Sequence, residues 1–118
     1  MSIGLKRAYD PPAGSDGRRI LVDRIWPRGI AKADLRIDAW LKDLAPSAGL
    51  RKWFGHDPTK WDEFKKRYAD EVEQHAEALD QLVESAKEGH VTLVFGARDI
   101  EHNNAVALKE HLERRLRR

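Results

Sequence analysis

The sequence predicts an α/β fold: a small, mostly parallel or mixed sheet with about four helices, folded as a single compact domain over residues 1–118. Three observations carry this. The run Val91-Thr92-Leu93-Val94-Phe95, bracketed by Gly89 and Gly96, has the continuous apolar, β-branched character of a strand buried on both faces. Two shorter strand patterns lie near the N-terminus. Between the second and third strands, apolar residues recur at three- and four-residue steps, so a helical crossover joins them into a βαβ-type unit, right-handed in almost all such units.

Ile3 to Tyr9 alternates roughly apolar and basic residues, and Arg18 to Ile25 carries the run Ile20-Leu21-Val22; both read as strands. Between them, Asp10-Pro11-Pro12-Ala13-Gly14-Ser15-Asp16-Gly17 concentrates turn residues and fits a loop joining two adjacent strands. Leu35, Ile37, Trp40, Leu41 and Leu44 suit one face of a helix that stops before Pro46. Ser47 can cap a short helix bearing Leu50, Trp53 and Phe54 before Gly55. Asp57-Pro58 supplies an N-cap acceptor and a proline at the first helical position. One long helix follows, with Trp61, Phe64, Tyr68, Val72, Ala76, Leu79, Val83 and Ala86 on its apolar stripe until Gly89. After the third strand, Ala105, Leu108, Leu112 and Leu116 define a final amphipathic helix, with Asp99 available as its cap. Three strands make a small sheet, so a further short strand is expected in the loop after Trp26 or near the first helix, at no definable position.

Hydrophobic residues make up 41% and charged residues 36% of 118, a balance that supports a packed core under a solvated surface. Cysteine is absent, which excludes disulfides, thiolate metal ligation and cysteine nucleophiles, and points to a reducing compartment. Met1 to Arg7 lacks an apolar core, and no later run approaches the roughly 20 residues that span a bilayer. A cytoplasmic protein without membrane association is therefore expected. The net charge of +2 is too small for wholesale coating of nucleic acid. Arg114, Arg115, Arg117 and Arg118 suit the negative end of a helix dipole; a phosphate-binding tail is the competing use.

Ligands of open α/β sheets bind beyond the carboxyl ends of parallel strands. The second strand ends in Val22-Asp23-Arg24-Ile25-Trp26-Pro27-Arg28-Gly29, and the third in Gly96-Ala97-Arg98-Asp99-Ile100-Glu101-His102-Asn103-Asn104. If the two strands are parallel neighbours, these segments converge at one sheet edge. Arg24, Arg28 and Arg98 then offer paired donors to a phosphate or carboxylate. Against this stands a structural use, with Arg24 neutralised by Asp23 and Arg98 by Asp99. Trp26 can wall a pocket or pack with Pro27. His102 is the first candidate acid or base, with Asp23 or Asp99 orienting a partner, and a capping role is its plainer alternative. Asn103 and Asn104 can serve a ligand or the local backbone. His56 can join the site with Asp57 orienting it, although Asp57 already has a sufficient task as a helix cap. His56 and His102 lack compact metal-ligand spacing such as HExxH, and no Walker A, GxGxxG or GxSxG motif is present, so neither a metal nor a cofactor is expected.

The segments Val22-Asp23-Arg24-Ile25-Trp26-Pro27-Arg28-Gly29, Trp53-Phe54-Gly55-His56-Asp57 and Ala97-Arg98-Asp99-Ile100-Glu101-His102-Asn103 resemble the YeaO-like family, a bacterial domain of unknown function. The resemblance covers essentially the whole chain and implies kinship without an activity to transfer. Longer relatives in the wider superfamily carry a cysteine near the end of the strand matching Val91 to Phe95, so a thiol mechanism does not carry over. Three functions remain in competition. The first is a site for a small phosphorylated or carboxylated ligand, such as a nucleotide, clamped by Arg24, Arg28 and Arg98. The second is a nucleic-acid-associated module using the same arginines, Trp26 and the basic tail. The third is a non-catalytic interaction domain presenting Trp40, Trp53 and Trp61 to a partner.

Overall fold

The computed structural model describes residues 2–117. Four strands, β1 (Ser2–Arg7), β2 (Arg18–Leu21), β3 (Ala39–Trp40) and β4 (His90–Phe95), form one parallel sheet in the order β1-β4-β2-β3. Five helices accompany it: α1 (Lys32–Leu35), α2 (Ala48–Phe54), α3 (Trp61–Glu73), α4 (Ala76–Glu88) and α5 (Asn104–Leu116). The α/β class is thus as the sequence predicts, and none of the helices is long and apolar enough to cross a membrane.

The apolar run of β4 follows from its central place. It pairs with β1 on one side and β2 on the other, and residues 91–95 are all buried. The two-residue strand period divides them. Val91, Leu93 and Phe95 join Ile3, Ile20 and Val22 in the larger core, which α2, α3, α4 and α5 cover. Val94 faces the other way with Leu21, Ala8 and Leu35, under Trp26, Ile30, Ile37 and Trp40. Both faces of the sheet are therefore closed, as an all-parallel sheet requires.

The turn-rich segment before β2 does not join neighbours, because β4 lies between β1 and β2. Two parallel strands cannot be linked by a tight hairpin, and residues 8–17 instead return from the Phe95 end of β4 to its Val91 end through a 3-10 turn at Gly14–Asp16. Gly17, at φ 63°, closes this passage; a Cβ there would stand 2.3 Å from the His90 carbonyl oxygen.

The helix expected over Leu35 to Leu44 does not form. Arg36 enters the left-handed region at φ 52° and ends α1, and the chain then extends into β3. Asp38 fixes the extension by two bonds to Arg19, its N–H donating to the carbonyl at 2.7 Å and its carboxylate accepting from the N–H at 2.8 Å. This is the additional strand, located near the first helix. Nor is the stretch from Pro58 to Gly89 one helix. A 3-10 turn at Pro58–Lys60 leads into α3, and the chain breaks at Gln74 and His75 before α4. The break lets α3 pack on α2 and α5 while α4 lies against β4.

Two caps are as the sequence predicts. Ser47 Oγ accepts from the Leu50 N–H at 3.1 Å, and Asp57 accepts from the Thr59 N–H at 3.0 Å ahead of Pro58. The cap of α5 is a correction: Asn103, not Asp99, accepts from the Val106 N–H, at 3.0 Å. Asp99 instead closes the preceding turn, taking the Glu101 and His102 N–H groups at 2.9 and 3.1 Å.

Candidate functional site

Because β2 and β4 are parallel neighbours, the segments that follow them do emerge at one edge of the sheet. A cavity of about 300 Å3 opens there. Its apolar wall comes from Ala45, Pro46, Phe54 and Phe64; its polar lining is Asp23, Arg24, Arg51, His56, His102, Asn103 and Asn104.

Asp23 ties the two strand ends together. Its Oδ2 accepts from the Gly96 N–H at 2.8 Å, and its Oδ1 accepts from Asn104 Nδ2 at 3.0 Å. The same amide of Asn104 donates to the Val22 carbonyl at 3.1 Å, so the start of α5 is clasped to the end of β2. Gly96 suits this contact, since a Cβ there would come within 3.3 Å of Asp23 Oδ2. Burial pushes the Asp23 carboxyl above its ordinary range, against the lowering effect of Asn104, the Gly96 N–H and the nearby charge of Arg51.

His102 is held from two sides. Its Nδ1 lies 3.0 Å from Asp99 Oδ2, and its ring meets Trp61 edge-on with centroids 5.3 Å apart. Asp99 is kept below the ordinary carboxylate range by the Glu101 N–H first, then by the His102 ring. An ionised carboxylate only accepts, so the imidazole places its proton on Nδ1 and leaves Nε2 for another partner. Asn103 is committed to the backbone, as cap of α5 and as donor to the Asp99 carbonyl at 2.9 Å. His56 stands exposed at φ 58°, a strained backbone for a residue with a side chain.

Of the residues expected at the site, Asp23, Arg24, His102 and Asn103 line the cavity, and Asp99 stands behind His102. The others are elsewhere. Trp26 belongs to the core on the opposite face of the sheet, edge-on to Trp40 at 5.4 Å with its Nε1–H donating to the Ile30 carbonyl at 2.6 Å. Arg28 is exposed and engages through its carbonyl, which accepts from the Tyr9 hydroxyl at 3.1 Å. Arg98 is exposed and outside the lining. The ion pairs expected of Arg24 with Asp23 and of Arg98 with Asp99 do not form: those carboxylates engage Gly96, Asn104 and His102 instead. Arg51 is the cavity residue that sequence reasoning missed. It sits on α2, far along the chain from either strand end, and only its basic character gave any signal.

The model of a family described as the inactive DUF488-N3 subclade matches residues 2–118. The chain belongs to this family. It is 43% identical over 112 residues to the uncharacterized protein YeaO of Escherichia coli (strain K12), spanning 95% of this chain and 97% of that one. It is 41% identical over 113 residues to the uncharacterized protein Rv3073c of Mycobacterium tuberculosis (strain ATCC 25618 / H37Rv), spanning 96% and 95%. No solved structure matches. The kinship to YeaO expected from the strand-end segments is therefore established over nearly the full length. For this member of the DUF488-N3 subclade, those same segments build the cavity: Asp23 and Arg24 from the first, His56 from the second, His102 and Asn103 from the third.

Proposed function

We propose that this protein binds a small phosphate- or carboxylate-bearing molecule in the cavity beyond β2 and β4, and that it does so as a binding domain. The observation that carries the proposal is the charge of the lining. Arg24 and Arg51 both reach the cavity, and neither is ion-paired among the described residues. Guanidinium groups left in this way recognise planar or tetrahedral anions through paired N–H donors. Nε2 of His102, held in direction by Asp99 and Trp61, and the imidazole of His56 add further donors when protonated.

Binding without turnover is in keeping with the description of the family as inactive. Asp99 and Asn103 act here through others, Asp99 by orienting His102 and Asn103 by placing α5.

The test is calorimetric titration of nucleotides, sugar phosphates and aromatic carboxylates into wild type and into Arg24→Ala and Arg51→Ala. Charge-assisted hydrogen bonds contribute about 1.5–3 kcal/mol each, so each variant should bind a wild-type ligand roughly 10- to 100-fold more weakly. Both arginines are exposed, and thermal unfolding should stay within about 1 °C of wild type. Binding by both variants at wild-type strength, or no binding by wild type across the panel, would remove the proposal.

A further inference from the structure

The proposed anion site has a carboxylate inside it, and no cationic side chain is in direct contact with that carboxylate among the described residues. Asp23 is part-buried and lines the cavity, yet among the described residues no Lys, Arg or His comes within ion-pairing distance of it. Its two protein partners, the Gly96 N–H and the Asn104 amide, are neutral donors. A carboxylate offers about four lone-pair directions, so about two remain. Burial disfavours the charged carboxylate, and the charge of Arg51 nearby offsets this only in part, so a cation brought into contact with Asp23 gains from both.

The charged groups at the exposed side of the cavity have the opposite sign. Arg24 and Arg51 carry it and are exposed, as are the imidazole of His56 and the neutral Ile25, whereas Asp23 and Asn104 are part-buried and Asn103 is buried. The site is thus ordered from an inner acceptor to two outer guanidinium groups, with Phe54 and Phe64 forming an apolar wall. A ligand carrying only negative charge satisfies the two arginines and sets a like charge against Asp23. A ligand with a cationic nitrogen at one end and an anionic group at the other satisfies both.

We propose, resting on the anion site above, that the ligand class is a compact amphoteric molecule, its ammonium seated on Asp23 and its carboxylate or phosphate held by Arg24 and Arg51 across an apolar body. Asp23 is then a specificity-determining residue: it selects amine-bearing anions over anions of the same shape without the amine. No bond is made or broken in this step.

The experiment uses the full chain and three matched probes: 4-(aminomethyl)benzoate, 4-methylbenzoate and 4-methylbenzylamine, titrated at pH 7 by calorimetry. The aminomethyl benzoate should bind wild type at least 10-fold more tightly than 4-methylbenzoate, and Asp23→Asn should reduce that ratio to near one. Equal binding of the two benzoates would overturn the inference and leave the anion site standing. Equal binding of the amine and the amino-acid probe would leave Asp23 as a cation site and overturn the anion site. Failure of all three to bind overturns both. Should Asp23→Asn fail to fold, the carboxyl carbon resonance of Asp23 in wild type decides: it should move with the aminomethyl probe and not with 4-methylbenzoate, and an unmoved resonance overturns the inference.

Discussion

His56 follows Gly55 directly, and both lie in the left-handed region, at φ 58° and 55°. Glycine accepts that conformation freely, whereas a residue with a Cβ loses about 1–2 kcal/mol there. A Gly at position 56 would relieve the strain and lose part of the gain to its freer unfolded chain. His56→Gly should therefore leave stability unchanged or raise it by up to about 1 kcal/mol in urea unfolding, while weakening the anion several-fold. A loss of stability with unchanged affinity would make the imidazole a prop for Phe54, whose ring centroid is 6.5 Å away. At this scale the sequence is legible where the cavity follows strand ends. Asp23, Arg24, His102 and Asn103 could be found because the chain leaves a parallel strand just before each segment. Arg28 and Trp26 show the limit, since the direction of a loop after its first two residues depends on what the loop packs against. Trp26 is drawn to Trp40 on the far face, a partner whose own strand had no sequence signature.

Elements are fixed by what they meet, and two of them misled for that reason. The spacing of Leu35, Ile37, Trp40, Leu41 and Leu44 satisfies a helix, but β2 had an open edge, and two residues paired with it settle the backbone differently. The stripe from Trp61 to Ala86 is continuous in sequence and divided in space, because it has to cover α2 and α5 with one half and β4 with the other. Another joint between elements was hidden among ordinary charged residues. Asp16, in the turn before β2, takes Lys6 of β1 at 3.0 Å and Arg19 of β2 at 2.6 Å, and Arg19 donates onward to the Leu35 carbonyl at 2.8 Å. Burial alone pushes the Asp16 carboxyl up; the Ala13 N–H, Lys6 and Arg19 together outweigh it and hold it at about 2, against an ordinary 3.8. A depressed carboxylate stabilises the fold above its unfolded value, and that contribution drains as the pH falls from about 4 to about 2. The shift corresponds to about 2 kcal/mol. Asp16→Asn should lose about 3 kcal/mol at pH 7, because Arg19 is left buried without its counter-charge. Its stability should then fall less steeply than that of wild type between pH 4 and 2.5, measured by urea unfolding. Parallel curves over that range would place the acid sensitivity in other carboxylates.

Across the whole molecule, stability and the proposed binding share one element. β4 is paired on both sides and buried along residues 91–95, whereas β3 is two residues long and lies at an edge. Amides inside β4 should exchange only when the entire fold opens, and those around Trp40 should exchange by local fraying of the edge. The cavity lies beyond the ends of β2 and β4, with Gly96 bonded to Asp23 at its boundary. A ligand there binds the folded state alone and stabilises it by about 2.7 kcal/mol at one hundred times its dissociation constant. Hydrogen exchange at saturating ligand should therefore slow at Leu93 and Val94 by about 100-fold, the global opening having become rarer by that factor, and change little at Trp40. Equal slowing at Trp40 would mean that β3 opens only with the rest of the sheet. No slowing at Leu93, with binding established by calorimetry, would mean that the ligand also engages the unfolded chain or that β4 exchanges through a smaller opening, and the site would then be uncoupled from the strand on which it is built.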